Sequence, residues 1–379
     1  MSLQGVTITR SRTMTNEHRR LFILGAGFSK ACGFPLGDQL AAGLLERFQR
    51  QADGDEELGQ LVKLVTDTHA WMHGCGVGIE ELYTYLFVIA ERLRLRQHFC
   101  SVDRGAGATP WRVAEDIEKS VVPFLDEDLV CELLEHDNQV SLEPAIRFAR
   151  CLRPGDAIVT FNYDTIVERA CEEVGANWCY PFDDKCDEKI AVAKLHGSVD
   201  WIALERDEIP RSKDFQLLFK KPDPPDGSLD PGGRPPEDEY DLALWRVADR
   251  NALHETAHSR ALIQWAHRWG LAGLGPAKRP SIIPGLGHQW ALFEHMLSNA
   301  AQIVSCGFSY STFDMSATFT IAATLAQREA DQNAEMPQVT VIDPTLEKSG
   351  DMLETRARMA FRDARWVAQP HQKFDWSSL

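Results

Sequence analysis

The chain has 379 residues, of which 44% are hydrophobic and 25% are charged, and its formal net charge is -16 at pH 7. This composition is typical of a globular protein with a sizeable core, and it excludes a chain that is disordered throughout. No apolar run approaches the roughly 20 residues that span a bilayer, and the acidic balance argues against general binding to nucleic acid or anionic membranes. We therefore expect a cytoplasmic protein with no membrane segment and no direct nucleic-acid partner.

Nine cysteines are spread along the chain. No two of them have the CxxC spacing of a zinc ribbon or a redox dithiol. The sequence thus predicts buried thiols in a reducing compartment and no metal site.

The first predicted element is a buried strand from Leu21 to Leu24, which lies in the stretch RRLFILGAGFSKACGFPLGDQL. The glycine turn GAG follows it at 25–27, and apolar residues from 35 to 49 then recur at helical spacing. Such a turn favours nucleotide binding, because glycines let the backbone approach a pyrophosphate and the next helix offers unpaired amide groups. The usual GxGxxG fingerprint is not met, because Lys30 stands in place of the third glycine.

The middle of the chain contains two predicted insertions around a second strand and helix. Residues 51–150 have apolar positions three and four apart, which predicts a helical insertion. A strand at 157–161 and a helix at 164–173 follow, and a short strand ends near Gly197. Residues 205–240 are rich in Pro, Gly and charge and should form an exposed loop, whereas the tryptophan-bearing segment 242–269 is predicted to be a helix used for packing or partner contact.

The last third returns to strands followed by helices. The stretches AQIVSC and PQVTVI are predicted strands, and helices are expected at 315–326 and 346–361. This alternation predicts an α/β protein with a doubly wound, Rossmann-like parallel sheet. Its residues would come from the discontinuous ranges 20–50, 151–200 and 281–368, interrupted by the large helical insertion at 51–150 and by a loop and Trp-rich helical insertion at 201–280.

The four predicted strands after the first are each followed by polar residues. They lie in the motifs TFNYD, KLHGS, CGFSYSTFD and VIDP, which contain Thr160, Asn162, Asp164, His196, Ser198, Ser309, Asp314 and Asp343. Because the carboxyl ends of parallel strands meet at one edge of a sheet, we expect these side chains to converge there. Taken singly, the asparagine and aspartates are also typical of helix caps and turns, and a lone histidine is also typical of a packed core.

In their chain order these motifs resemble those of the sirtuins. GAGFSKACGFP resembles GAGxSxxxGxP, and the matching positions are Gly25, Ala26, Gly27, Ser29, Gly33 and Pro35. TFNYD is similar to TQNxD, and KLHGS to the LHG motif. CGFSYSTFD and VIDP are similar to the late glycine-serine motif and the terminal strand, above all in the sirtuin-like NAD hydrolases of bacterial antiphage defence. The matches span residues 21–345.

The resemblance implies that NAD is bound as a substrate and that Asn162 and His196 are the catalytic pair. It implies that NAD is held by Gly25, Ala26, Gly27, Ser29, Pro35, Asp164, Gly307, Ser309, Asp314 and Asp343. These residue types suit the reaction, because cleavage of the nicotinamide–ribose bond passes through an oxocarbenium-like sugar and expels a neutral group. The site therefore needs an amide that positions water and a base that takes its proton near neutral pH.

The sequence also departs from the deacylating sirtuins. No cysteine occurs between Cys186 and Cys306, so the two CxxC pairs of their structural zinc are missing from the sequence. Phe161 stands where they have the Gln of TQN, and LGD replaces their Arg-containing loop. The last two departures argue against a groove for an acetyl-lysine peptide. The pattern of losses resembles that of the NAD-hydrolysing relatives, which implies hydrolysis of NAD to nicotinamide and ADP-ribose.

The expected role of such a hydrolase is that of a toxic effector in an antiphage or abortive-infection system. Constant loss of NAD would kill the host, so the expectation includes restraint by a homo-oligomer or by a defence-system partner such as an ATPase or an Argonaute. Two alternatives remain open. One is a non-catalytic module that binds NAD or an ADP-ribose derivative and regulates a partner, and the other is an NAD-dependent protein deacylase.

Overall fold

The structure is a computed structural model that describes residues 20–51, 63, 66–68, 70–71, 78–86, 88–89, 122–182, 188–205, 215–220, 242–249, 253, 268–271, 285–311, 314–331, 334–346 and 352–379. Its strands are β1 (Arg20–Leu24), β2 (Ala157–Thr160), β3 (Trp178–Cys179), β4 (Ile190–Lys194), β5 (Gly197–Glu205), β6 (Phe215–Lys220), β7 (Leu242–Val247), β8 (Arg268–Leu271), β9 (Gln302–Cys306), β10 (Gln338–Ile342) and β11 (Arg365–Val367). Its α-helices include α1 (Ala26–Lys30), α2 (Gly37–Gln51), α3 (Val122–Gln139), α4 (Glu143–Ala149), α5 (Ile166–Glu173), α6 (Leu286–Asn299), α7 (Met315–Ala330) and α8 (Met352–Ala360). Residues 79–86 are also helical.

Seven parallel strands form the main sheet, in the order β11-β10-β9-β1-β2-β4-β3. This confirms the predicted doubly wound α/β architecture. Strand β1 begins at Arg20, which is paired with Asp156 at 2.6 Å, and continues as an apolar run from Leu21 to Leu24. Phe22 and Leu24 pack into the core on one face, and Leu21 and Ile23 pack into the core on the other. Strands covered on both faces are typically near-continuous apolar runs.

The strand order reverses between β1 and β9. From β1 the chain continues to β2 on one side, and from β9 it continues to β10 on the other side. Connections that leave in opposite directions open a crevice at the carboxyl ends of the two strands, which is where ligands bind in sheets of this type. The turns at 25–27 and 307–309 follow these two strands and therefore lie at the crevice.

Helices cover both faces of the main sheet. Side chains of α2, α3, α4 and α5 belong to the core on one face, and side chains of α6, α7 and α8 belong to the core on the other. The helices α3 and α4 lie within the range predicted as a helical insertion. The limits of the predicted domains and insertions stay predictions.

The tryptophan-bearing segment is the main error of the sequence prediction. Where a helix was expected, Leu242–Val247 and Arg268–Leu271 are strands, and Phe215–Lys220 is a strand within the predicted loop. Together with β5 they form an antiparallel sheet in the order β6-β7-β5-β8. A short apolar run does not distinguish a helix from a strand by its periodicity, so pairing with β5 decides the conformation here. Most of the residues between these strands, Trp265 included, lie outside the described ranges.

The cysteine prediction holds for part of the chain. Cys32, Cys171 and Cys306 are buried thiols, but Cys179 is disulfide-bonded, so the expectation of thiols throughout is wrong at this residue. Cys179 ends the short edge strand β3, and sequence spacing does not reveal which residues the fold brings beside it. None of the helices that the structure describes is long and apolar enough to cross a membrane.

Candidate functional site

Two adjoining pockets open at the crevice between β1 and β9. The first has a volume of about 530 Å³, and the second has a volume of about 290 Å³. Both are lined by Ala26, Leu36 and Ser309, so the two volumes meet at the turns after β1 and β9. Together they fall within the range of about 300–1,000 Å³ that is typical of ligand sites.

The structure brings all the residues predicted to bind or cleave NAD to these two pockets. The first pocket is lined by Gly25, Ala26, Ser29, Pro35, Asn162, Asp164, His196, Ser309 and Asp314. The second is lined by Ala26, Gly27, Gly307, Ser309 and Asp343. Two other polar residues of the motifs have places in the fold. Thr160 Oγ1 accepts a hydrogen bond from the backbone N–H of Asn162 at 3.1 Å, and Ser198 lies in strand β5. The ligand contacts themselves stay predictions.

The glycines after β1 allow the two turns to pack against each other. A Cβ atom on Gly25 would lie 2.5 Å from the Gly307 carbonyl oxygen, and one on Gly27 would lie 2.8 Å from the Gly307 Cα. The Gly27 amide donates to that same carbonyl at 2.9 Å, and Gly307 has a φ of 62°. Lys30, which stands where the usual fingerprint has its third glycine, is exposed. Close contact with Gly307 therefore requires glycine at 25 and 27, whereas the exposed position 30 does not require it.

Replacing Gly25 with alanine is expected to destabilise the protein by about 2–4 kcal/mol, because the new methyl group would overlap backbone atoms that cannot move aside. Urea unfolding of the purified full chain measures this change. Gly287→Ala is the matched control, since among the described residues a Cβ at that helical position would meet nothing within 4 Å beyond its chain neighbours and its own helix backbone. It should stabilise the protein by up to about 1 kcal/mol. Equal effects of the two variants would contradict the packing reason.

Asn162 is held in one orientation at the end of β2. Its Nδ2 donates to the Gly25 carbonyl at 2.9 Å and to Ser29 Oγ at 2.8 Å, and the residue is buried. Because a carbonyl oxygen only accepts hydrogen bonds, this contact fixes which end of the amide is the nitrogen. Both amide hydrogens are used, which leaves Oδ1 as the atom that can accept a hydrogen bond from a water molecule or a ligand hydroxyl.

Asp164 lies next to this network with an unusually basic carboxyl group. Burial raises the pKa of Asp164 to about 6, and the nearby carboxyl group of Asp137 also raises it. The charge of Lys194 and the hydrogen bond from Ser29 lower the pKa but do not offset burial. The Ile166 amide donates to Asp164 Oδ1 at 3.1 Å. This contact is the helix-start interaction that the sequence allowed, and the carboxyl group nevertheless lines the first pocket.

His196 and Asp314 form a buried pair across the pocket. His196 Nε2 lies 3.2 Å from Asp314 Oδ1, and the side chains are 6% and 10% exposed. An Nε2–H donor to this carboxylate leaves Nδ1 as the basic atom of the neutral ring. Asp314 was predicted from the sequence as an NAD contact, and its contact with the histidine was not foreseen. The two residues follow different strands, so no local pattern could have linked them.

The second pocket has a different chemical character. Asp343 Oδ1 accepts hydrogen bonds from the amide and the hydroxyl of Thr345 at 2.8 and 2.7 Å, which is the turn geometry expected for an Asp before Pro. Arg356 and His371 also line this pocket. Burial lowers the pKa of His371 to about 4, so its ring is neutral at pH 7.

Sequence reasoning missed several residues of the two pockets. Phe308 stacks on Phe161 with ring centroids 4.4 Å apart and forms part of an aromatic wall. Glu80 comes from helical residues 79–86 within the predicted insertion, and Ser311 Oγ lies 3.4 Å from its Oε2. His371 stacks on Phe28 at 4.6 Å. Phe308 adjoins a recognised motif and could have been found from it, whereas Glu80 and His371 carry no signal in the sequence.

Within the described part of the chain, no group of three or more His, Cys, Asp or Glu side chains is arranged to hold a metal ion.

No protein-family model and no curated protein matches this sequence. Among solved structures, the chain is similar to a mutant of a Sir2 homologue in complex with ADP-ribose, with 14% identity over 96% of this chain and 91% of that one and a TM-score of 0.35. It is also similar to a Sir2 homologue in complex with NAD, with 12% identity, 96% and 89% coverage and a TM-score of 0.35. A third similar structure is Sir2 in complex with an inhibitor, 2'-O-acetyl-ADP-ribose and a deacetylated peptide, with 12% identity, 95% and 93% coverage and the same TM-score of 0.35.

Proposed function

We propose that this chain is an NAD⁺ hydrolase that cleaves the bond between nicotinamide and ribose and releases nicotinamide and ADP-ribose. The observation that carries the proposal is the meeting of Asn162 and His196 in one pocket, each held by a buried partner. The order of the sequence motifs, which resembles that of sirtuin-like NAD hydrolases, supports the same reaction.

In the proposed reaction Asn162 places the water molecule. Its Oδ1 accepts a hydrogen bond from that water while Nδ2 stays bonded to Gly25 and Ser29. The ribose carbon develops positive charge as neutral nicotinamide leaves, so a correctly placed water can attack without prior deprotonation. Placement of this kind supplies much of the rate in reactions with a good leaving group.

His196 takes the proton that the attacking water releases. As water bonds to the ribose carbon, the bonding pair of the glycosidic bond leaves with nicotinamide, and one proton of the water passes to Nδ1 of the ring. The carboxylate of Asp314 lies 3.2 Å from Nε2 and stabilises the imidazolium that forms. The aromatic wall of Phe161 and Phe308 limits the access of other water molecules to the site.

Asp314→Asn is expected to lower kcat by about 10-fold to 100-fold and to change KM little, because it removes the charge that stabilises the imidazolium without removing the ring. Steady-state assays of nicotinamide release measure both constants. Asp331→Asn, at the other end of the same helix, is the matched control and should leave both unchanged. A KM effect without a kcat effect would instead assign Asp314 to substrate binding, as the sequence resemblance implied.

The purified full chain incubated with NAD, alone and with candidate partner proteins, tests the reaction. Chromatography follows nicotinamide and ADP-ribose, and calorimetry of the same sample follows binding. Release of both products supports the hydrolase. Tight binding of NAD or ADP-ribose without turnover under every condition favours the non-catalytic module, and NAD-dependent loss of acetyl groups from acetyl-lysine peptides favours the deacylase.

We extend the proposal to a role in bacterial antiphage defence, in which the hydrolase depletes NAD in infected cells. Such an enzyme needs restraint before infection, so assembly into a homo-oligomer or binding to an ATPase or Argonaute partner is part of the proposal. Bacteria that express the chain with its neighbouring genes should lose NAD and resist phage, and the same cells with Asn162→Ala should keep NAD and be lysed. Equal plaque counts in both strains, with NAD retained in both, would contradict the defence role.

A further inference from the structure

A lysine is buried directly behind the first pocket. Lys194 ends β4 and its side chain is 0% exposed. Its Nζ donates to the backbone carbonyl of Asp164 and lies 3.0 Å from Glu168 Oε1. Burying an ammonium group is costly unless it is paired and hydrogen-bonded, and Lys194 has both kinds of partner. The lysine is not among the residues that line the pocket.

The partners of Lys194 form a buried charged network. Glu168 is 1% exposed and also accepts a hydrogen bond from the Tyr180 hydroxyl at 3.0 Å. Its second oxygen has no hydrogen-bond partner among the described residues. Lys194 is the cation in direct contact with the Glu168 carboxylate, and the Arg246 charge, which is paired with Asp200, also acts on it. A change in Lys194 or Glu168 therefore alters the charge beneath Asp164.

Other charged groups also face Asp164. Asp137 on α3 accepts a hydrogen bond from the Thr165 hydroxyl at 2.8 Å and lies 3.5 Å from the Arg169 guanidinium. Burial raises the pKa of the nearby Cys32 thiol to about 12, so it is neutral at pH 7. Arg169 lies against Asp137, and among the described residues Lys194 is the cation whose attraction opposes the effect of burial on Asp164.

We propose that Lys194 is a positioning residue of this site, which holds the segment from Asn162 to Asp164 through the Asp164 carbonyl and places a positive charge beneath the Asp164 carboxyl group. The charges of Lys194 and Glu168 therefore affect the titration of Asp164 in opposite directions. Without the lysine charge, the buried carboxyl group keeps its proton to higher pH. Without the Glu168 charge, the lysine acts uncompensated and the proton leaves at lower pH. The effect on NAD cleavage, though not the effect on Asp164, rests on the proposed function.

Carbon-13 NMR of the full chain, labelled at aspartate carboxyl carbons, tests the proposal without any substrate. The signal of Asp164 is identified by its absence in Asp164→Asn. Its titration midpoint should rise by about one pH unit in Lys194→Met and fall by about one pH unit in Glu168→Gln. Lys220→Met, which changes an exposed lysine on β6, is the matched control and should leave the midpoint unchanged.

Opposite displacements in the two variants support the proposal, because general damage to the fold would not produce opposite signs. Unchanged midpoints, or displacements of the same sign, overturn it. If Lys194→Met does not fold, Glu168→Gln decides: a lower midpoint supports the proposal, and an unchanged or higher one overturns it. The acid limb of the pH profile for nicotinamide release should move with the midpoint. A chain that shows the displacements but never cleaves NAD would remove the proposed function and leave the role of Lys194 at Asp164 intact.

Discussion

Replacing Asn162 with alanine is expected to lower the rate of nicotinamide release by at least about 100-fold, the effect typical of losing a group that positions the reacting atoms. The variant loses Oδ1, the proposed contact of the attacking water. It also frees the Gly25 carbonyl and Ser29 Oγ, which now receive hydrogen bonds at 2.9 and 2.8 Å. Steady-state assays with the wild-type chain, under the conditions that activate it, measure the loss.

Asn299→Ala is the control for this variant. Asn299 is an exposed asparagine at the end of α6, where its Nδ2 donates to the His295 carbonyl at 2.7 Å. Its loss should cost some stability and no activity. If Asn162→Ala retains the wild-type rate while it binds NAD normally, the assignment of the water-positioning role to Asn162 is wrong.

Asp164→Asn is expected to stabilise the protein at pH 7.5 while it lowers NAD cleavage. The pKa of Asp164 is raised to about 6 in the folded chain, compared with about 3.9 for an unfolded aspartate. A raised pKa contributes stability that is fully present below about pH 4 and is lost as the pH rises through 6. At pH 7.5 the ionised carboxyl group thus costs on the order of 2–3 kcal/mol, which the neutral amide avoids.

Urea unfolding at a series of pH values measures this effect. The stability difference between Asp164→Asn and wild type should be largest above pH 6 and should shrink below about pH 4, where both side chains are neutral. Asp363→Asn changes an exposed aspartate and should show no such dependence. A constant difference across the pH range would show that the carboxyl group of Asp164 is not the source. A protein that becomes more stable and less active would indicate that the site retains a costly charge for function.

Much of the site could be predicted because its motifs follow strands. The apolar run from Leu21 to Leu24 indicated a buried strand, and the polar residues after β2, β4, β9 and β10 indicated one edge of a parallel sheet. This reasoning brought Asn162 and His196 together even though they come from different strands. It depends only on local pattern and on the rule that parallel strands end together.

Other features needed the folded chain. The pairing of β7 with β5 turned a predicted helix into a strand, and a disulfide at Cys179 replaced an expected thiol. Local periodicity is ambiguous for short apolar runs and says nothing about which distant residues meet.

The sequence by itself determined the strand-helix alternation, the two glycines of the first turn and the set of polar residues at one edge of the sheet. Only the tertiary structure decided how those residues act on one another. Asn162 donates to Gly25, which lies 137 residues earlier in the chain, and His196 contacts Asp314. The positive charge that acts on Asp164 comes from Lys194. Nothing in the sequence around Lys194 indicates that this lysine is buried or that it contacts Asp164. Such contacts depend on strand order and burial, and these are properties of the whole sheet that no short stretch of sequence contains.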